Sequence, residues 1–158
     1  VFGRGGEEAA YLAEHGVPFE VVPGVTSAIA GPAVAGVPVT HRDHASTVSF
    51  VTGHEDPTKE ESAVDWVALA ETGGTIVVLM GVGKLPDYTA ALRDAGMDPD
   101  TPVALVERAT WPDQRVATGT LETIVDVRDE AGIDPPAITV IGDVAGERET
   151  VRELLEGY

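Results

Sequence analysis

Three short segments carry residues that could hold a ligand through backbone N–H groups and small polar side chains. Residues 3–8 form a glycine-rich turn around Arg4, residues 23–28 place Thr26 and Ser27 after a Pro-Gly turn, and residues 79–83 read Leu-Met-Gly-Val-Gly. Hydroxyls and N–H groups at a helix start suit a carboxylate or a ribose. From spacing alone, Thr26 or Ser27 is equally well explained as a simple helix cap, and the cap is the favoured reading.

The chain has only ten lysines and arginines, and three of the arginines have two possible roles, as ligands of an anion or as partners in an ion pair. Arg4 lies inside its glycine loop, where it could bind an anionic ligand or form an ion pair with Glu7 or Glu8. Arg108 and Arg115 flank residues 109–110 and could do the same, or simply pair with their acidic neighbours. The sequence leaves both alternatives open.

The Gly-x-Gly at 81–83 could also belong to a dinucleotide-dependent oxidoreductase. That class needs a further glycine and an acidic ribose ligand at fingerprint spacing downstream, and both are absent. We therefore discount a nicotinamide cofactor.

Composition excludes several other classes of function. The chain has no cysteine, and its four histidines show no clustered ligand spacing, so we expect no disulfide, no cysteine nucleophile and no metal. No apolar run is long enough to span a bilayer and no leader is visible, which predicts a cytoplasmic protein without membrane partners. The net charge of −17 argues against nucleic acid as a partner.

The same charge is spread along the chain, and lysine occurs only as Lys59 and Lys84. A distributed acidic surface repels itself at low ionic strength and is tolerated when salt screens it. We therefore expect a halophilic source.

Hydrophobic patterns predict alternating strands and helices. A polar run at residues 40–44 after Pro38 resembles a linker between two units. The pattern predicts an α/β fold with a largely parallel sheet, an antiparallel member at residues 115–121, and a mixed sheet of about five strands in all. Ligands would then collect at the carboxyl ends of strands, in the loops after residues 22, 52, 80, 106 and 141. The predicted strands are residues 19–22, 47–52, 75–80, 103–106, 115–121 and 137–141. The predicted helices cover 7–15, 66–70, 86–96 and the last eight residues, together with a small-residue helix that begins after Thr26 or Ser27 and that Pro32 should kink.

Six motifs, in register over more than a hundred residues, resemble one family. They are Val-Phe-Gly-Arg-Gly-Gly-Glu-Glu at 1–8, Val-Pro-Gly-Val-Thr-Ser-Ala at 22–28, Gly-Val-Pro-Val-Thr-His-Arg at 36–42, Val-Thr-Gly-His at 51–54, Leu-Met-Gly at 79–81, and Ala-Leu-Val-Glu-Arg-Ala-Thr at 104–110 followed by Gln-Arg at 114–115. Their order and spacing are similar to those of the uroporphyrinogen-III C-methyltransferases, within the tetrapyrrole methylase family.

The resemblance implies a two-lobed enzyme in which S-adenosylmethionine lies between two α/β domains. Residues 1–41 would be a remnant of the amino-terminal lobe and residues 42–158 the carboxy-terminal lobe. Carried over by position, Arg4 would contact a propionate of the tetrapyrrole. Position 109 is often glycine in the family, so alanine there should still let the backbone bind adenine. The cofactor contacts would be Val1, Thr26, Ser27, Met80, Ala109 and, more weakly, Ala137.

The resemblance implies a reaction that methylates two carbons of uroporphyrinogen III to give precorrin-2, on the way to sirohaem and cobalamin. It also implies that the enzyme is a homodimer. The resemblance implies that the catalytic base is an aspartate in an amino-terminal segment that normally precedes position 1. We therefore expect no catalytic residue in this chain and expect the chain to be inactive alone. The alternatives are another tetrapyrrole methylase, a diphthamide methylase, or a non-catalytic dimerisation or binding module.

Overall fold

A computed structural model describes residues 3–53 and 64–156 of the chain, and these residues build one five-stranded mixed sheet. The strands lie in the order β1-β2-β5-β3-β4. Their bounds are β1 Val48–Thr52, β2 Thr75–Leu79, β3 Pro102–Glu107, β4 Arg115–Thr120 and β5 Ala137–Ile141. The predicted number of strands, the mixed sheet and the strand at residues 115–121 are confirmed.

The expectation of a largely parallel sheet is wrong. Only β1 and β2 pair in parallel, and the other three pairings are antiparallel. The reason is the position of β5, which enters between β2 and β3 and runs against both. Strands β1, β2 and β3 still point the same way, so their carboxyl ends share one edge of the sheet.

The described residues form six α-helices, and the ends of several follow local rules. Thr26 caps α2, its Oγ1 accepting the Ala28 N–H at 3.3 Å, and Asp65 caps α3 by accepting the Ala68 N–H at 3.0 Å. Gly132 ends α5 in the left-handed conformation, at φ 60°. The helices are α1 Gly5–Glu14, α2 Ser27–Val34, α3 Trp66–Thr72, α4 Leu85–Asp94, α5 Ile124–Ala131 and α6 Arg148–Glu156.

Both faces of the sheet are covered, because successive strand residues point to opposite sides. On one face, Ile76, Val78 and Leu105 are buried in a core with α4, α5 and the partly buried Trp66 of α3. On the other, Val77 and Val106 pack with α2 and with other small or β-branched residues: Ala28, Ala35, Val37, Ala45, Ala104, Ile138, Val140, Val144 and Ala145. The sheet therefore lies between two hydrophobic cores.

The strand predicted at residues 19–22 is wrong. Residues 17–26 form neither helix nor strand, and Phe19 and Val22 are 47% and 81% exposed. β-branched and aromatic residues favour a strand by propensity, but a strand also needs a hydrogen-bonded neighbour. None of the described strands pairs with this segment.

The segment before residue 41 nevertheless contacts the sheet, through α2. Ala28, Gly31 and Pro32 of that helix are buried. The linker predicted at 40–44 is a tight turn closed by a bridge between His41 and Ala45. The boundary at residue 41 stays a prediction. Within the described ranges, no helix is long and apolar enough to cross a membrane.

Candidate functional site

The carboxyl ends of β2 and β3 and the beginning of β5 meet at one edge of the sheet. Ile138 pairs with both Leu79 and Val106, and Ala137 pairs with Glu107. The sequence predicted that the loop after Ile141 would lie at this edge, which is wrong. Because β5 is reversed, its first residue lies there instead.

A cavity of about 610 Å³ opens at this edge. That size is typical of a pocket for a small-molecule ligand. Ser27, Met80, Ala109 and Ala137, four of the six predicted cofactor residues, line it, although they come from four separate parts of the chain. The other lining residues, mostly apolar, are Leu79, Val82, Val106, Arg108, Trp111, Pro135, Pro136 and Ile138.

The remaining predicted residues lie elsewhere. Thr26 caps α2 beside Ser27 and does not line the cavity, and Val1 falls outside the described residues. The Arg4 side chain is 87% exposed and pairs with Glu7 at 3.2 Å, so the ion-pair reading holds here and the propionate contact stays a prediction.

Three non-glycine residues at this edge adopt left-handed backbone conformations. Met80 has φ 54°, Arg108 φ 46° and Thr110 φ 73°. Such conformations are costly, and they cluster at ligand sites where the surrounding structure enforces them. Here Arg108 N–H donates to the Pro136 carbonyl at 3.0 Å, and Thr110 N–H donates to Oε1 of Gln114 at 2.8 Å.

Ala109 lies between two of these residues, with its side chain toward α2. A Cβ placed on Gly31 would lie 3.6 Å from the Ala109 Cβ. No group in the described part of the chain accepts the Ala109 N–H. The backbone of Ala109 is therefore available to a ligand, while its small side chain lets α2 approach the sheet.

An ion pair anchors the segment that leads into β5. Glu107 is only 3% exposed, and its carboxylate accepts from Nε of Arg115 at 2.5 Å and from the Asp134 N–H at 3.1 Å. The same guanidinium donates to the carbonyls of Ala131 and Gly132 at 2.8 and 2.6 Å. The hydrogen bond from Arg115 holds the pKa of Glu107 below its usual value.

The acidic pairing considered for the two arginines is confirmed. Arg108 pairs with Asp113 and Arg115 pairs with Glu107. The two cations therefore neutralise acids of their own loop and strand. In the described ranges, no cluster of three or more potential ligand side chains is placed to hold a metal ion.

Sequence reasoning missed Trp111 and the Pro135–Pro136 pair, which form part of the cavity wall. Two signals could have found them. Trp111 is a large apolar residue in the loop that follows a buried strand, and two consecutive prolines directly precede the buried strand β5. Both loops lie at the edge where ligands bind in such sheets.

Known proteins resemble this chain in both sequence and structure. The family profile described as Tetrapyrrole (Corrin/Porphyrin) Methylases matches residues 1–125. An S-adenosyl-L-methionine-dependent uroporphyrinogen III methyltransferase of Methanosarcina barkeri is 56% identical over 157 residues, which are 99% of this chain and 62% of that protein.

Solved structures of related enzymes have a similar fold. Uroporphyrin-III C-methyl transferase of Thermus thermophilus, complexed with S-adenyl homocysteine, has a TM-score of 0.76 and 40% identity, over 91% of this chain and 61% of that one. A cobalt precorrin-4 methyltransferase has a TM-score of 0.82 and 30% identity, over 92% and 60%. This chain thus spans about three fifths of the length of the relatives it matches. With a profile match over most of its length, the chain belongs to the tetrapyrrole methylase family.

Proposed function

We propose that this chain is part of an S-adenosylmethionine-dependent methyltransferase that converts uroporphyrinogen III to precorrin-2. The observation that carries the proposal is the apolar cavity at the carboxyl ends of β2 and β3, lined by Ser27, Met80, Ala109 and Ala137. The similarity to uroporphyrinogen III methyltransferases favours this substrate over those of other tetrapyrrole methylases.

The residues of the cavity suit a nucleoside-containing cofactor. Met80 offers a flexible, polarisable side chain that is 65% exposed, and Val82 and Ile138 supply apolar walls. The N–H of Ala109 offers a hydrogen bond that no described group uses. Such a site would hold a purine and ribose by apolar contact and a few backbone bonds.

When bound, the cofactor supplies an electrophilic methyl group on a sulfonium, which a pyrrole carbon attacks as the C–C bond forms and the S–CH₃ bond breaks. The contribution of this chain is to bind and orient the donor beside the substrate and to exclude water from it. A proton must also leave the tetrapyrrole after attack. None of the described side chains that line the cavity is a carboxylate or an imidazole. We propose that the proton acceptor belongs to another part of the enzyme, as the family resemblance implies, and we expect the 158-residue chain alone to be inactive.

Calorimetric titration of S-adenosylhomocysteine into this chain and into the full-length gene product, both in molar KCl, tests the proposal. We expect tight binding in the full-length product and weak or no binding in the 158-residue chain, because the donor would lie between two lobes. Absence of binding to either protein contradicts the methyltransferase assignment.

Two variants locate the site. Met80→Asn keeps a residue type that tolerates the left-handed backbone but removes the apolar side chain, and should weaken binding about tenfold, close to 1.4 kcal/mol. Val67→Asn changes a half-exposed apolar residue of α3 that does not line the cavity and should leave binding unchanged. Equal binding by wild type and Met80→Asn would place the cofactor elsewhere.

Incubating the full-length product with uroporphyrinogen III and the methyl donor tests the substrate. The expected product carries two added methyl groups by mass. Methylation only of another tetrapyrrole or of a diphthamide precursor would support those enzymes instead. Binding of neither donor nor tetrapyrrole, with a stable dimer, would support a non-catalytic module.

A further inference from the structure

Two large apolar side chains in the cavity are exposed to an extent that packing within the chain does not explain. Met80 and Trp111 are 65% and 60% exposed, and both line the same cavity. Large apolar groups left uncovered in a concave site are typical of ligand contacts. Met80 was predicted as a cofactor residue, whereas Trp111 has no assigned role.

The backbone around Trp111 is fixed in one conformation. Trp111 N–H donates to the Arg108 carbonyl at 3.0 Å, and Gln114 N–H donates to the Trp111 carbonyl at 3.0 Å. Oε1 of Gln114 returns to accept the Thr110 N–H at 2.8 Å. These bonds close a compact turn between β3 and β4, so the indole is carried by a preorganised loop.

The guanidinium of Arg108 contacts the indole ring of Trp111. The guanidinium carbon of Arg108 lies 5.9 Å from the centre of the Trp111 ring, within the range of a cation–π contact. Arg108 is in turn held by its ion pair with Asp113. The indole is thus oriented by neighbours on its own loop, while most of its surface faces the cavity or solvent.

We infer that Trp111 is a stacking platform for the purine ring of the methyl donor, and that it sets the affinity for the nucleoside part of that molecule. The inference rests on the proposed function. A purine has two apolar π faces, and an indole is the side chain with the largest matching surface. The thioether of Met80 in the same cavity adds a second soft contact for an aromatic ring.

The chain offers a clean spectroscopic test, because it has two tryptophans in different settings. Trp66 stacks on Tyr88 with ring centres 5.3 Å apart and does not line the cavity. In the full-length gene product with Trp66→Phe, Trp111 becomes the reporter within residues 1–158. Titrating S-adenosylhomocysteine should change the Trp111 emission with the same midpoint as the heat measured by calorimetry.

Variants at position 111 separate stacking from a structural role. Trp111→Ala should weaken binding of S-adenosylhomocysteine and of adenosine alone by a similar factor, about 5- to 150-fold, whereas Trp111→Phe should restore most of the affinity. The thermal midpoint of unfolding should be the same in all three proteins, since the side chain is exposed. Trp66→Phe serves as the matched control and should bind as wild type does.

The outcomes distinguish this inference from the function on which it rests. Binding heat with an unchanged Trp111 emission, or equal affinities for wild type and Trp111→Ala, would overturn the stacking role and leave the proposed function standing. Absence of any binding heat in the wild-type full-length product overturns both.

Discussion

Replacing Gly53 by alanine tests the close approach of two backbones at the edge that carries the cavity. Gly53 follows β1, and its N–H donates to the Leu79 carbonyl at 2.8 Å. A Cβ at position 53 would lie 2.4 Å from Cα of Gly81 and 2.9 Å from Cγ1 of Val78. Carbon atoms in contact normally lie about 3.5–4.0 Å apart, so the overlap with Gly81 exceeds about 1 Å.

Neither neighbour can withdraw easily. Val78 is fully buried in β2, and the contact at Gly81 is with backbone rather than with the end of a flexible side chain. Overpacking of this kind costs about 1–3 kcal/mol, and a clash with backbone favours the upper end. Alanine restricts the unfolded chain, which offsets about 1 kcal/mol. We therefore expect Gly53→Ala to lower the free energy of unfolding by about 2 kcal/mol.

For a chain of this size, that loss corresponds to a thermal midpoint about 4–8 °C lower. The assay is thermal and urea unfolding in molar KCl, followed by circular dichroism. Gly83→Ala is the matched control, because a methyl group added at Gly83 would have no atom within 4 Å and the φ of Gly83 lies outside the left-handed region. It should be neutral or stabilising by up to about 1 kcal/mol. Equal midpoints for Gly53→Ala and wild type, or an equal loss in both variants, would refute the steric argument.

Three further predictions concern charge and buried polarity. Because Arg115 holds the pKa of Glu107 low, this pair stabilises the fold at pH values above the unfolded pKa of about 4.3, and the stabilisation is lost as the pH falls through the lower folded pKa. In urea unfolding, Glu107→Gln should therefore be less stable than wild type at pH 7, and its free energy of unfolding should fall less steeply as the pH is lowered. The exposed Glu122→Gln should behave as wild type does. The buried hydroxyls of Tyr88 and Thr139 lie 2.9 Å apart, so Tyr88→Phe should lower the free energy of unfolding by about 1–2 kcal/mol. In a double-mutant cycle, the loss in Tyr88→Phe with Thr139→Val should be smaller than the sum of the two single losses, and strictly additive losses would contradict coupling. With a net charge of −17, the chain should unfold at higher temperature in 1 M than in 0.1 M KCl, and a midpoint independent of salt would argue against a halophilic surface.

Much of the secondary structure was predictable, because burial imposes periodic patterns on the sequence. Residues 75–80 and 137–141 are uninterrupted β-prone runs, and they contain the buried strands β2 and β5, of which β2 ends at Leu79. The helix predicted at residues 86–96 is present as α4, and Leu85, Tyr88 and Leu92, which recur at the spacing of one helix face, are all buried. These patterns depend only on local geometry.

The arrangement of the strands was not predictable from the same patterns. A run such as residues 137–141 shows that a strand is buried, but not which strands flank it or which way it runs. The reversal of β5 explains two wrong predictions, the largely parallel sheet and the loop after Ile141 at the ligand-binding edge. The strand predicted at 19–22 failed for a related reason, since propensity does not reveal whether a partner strand is present.

The candidate site was found in part. Met80 and Ala109 came from the family resemblance and lie in one cavity with Ser27 and Ala137. The left-handed backbone of Arg108 and the exposed indole of Trp111 were missed, because backbone conformation and side-chain exposure are set by the folded loop rather than by residue type.

The central position of β5 also constrains the order in which the sheet can assemble on the ribosome. Residues 137–141 are the last of the five strands to be synthesised, yet they separate the β1–β2 pair from the β3–β4 pair. Until β5 emerges, β2 and β3 each present an unpaired inner edge, and such edges are templates for aggregation. Pairing across a long sequence separation is also slow. The insertion of β5 therefore closes the sheet, completes both cores and forms the cavity. It can happen only after the other four strands have been made.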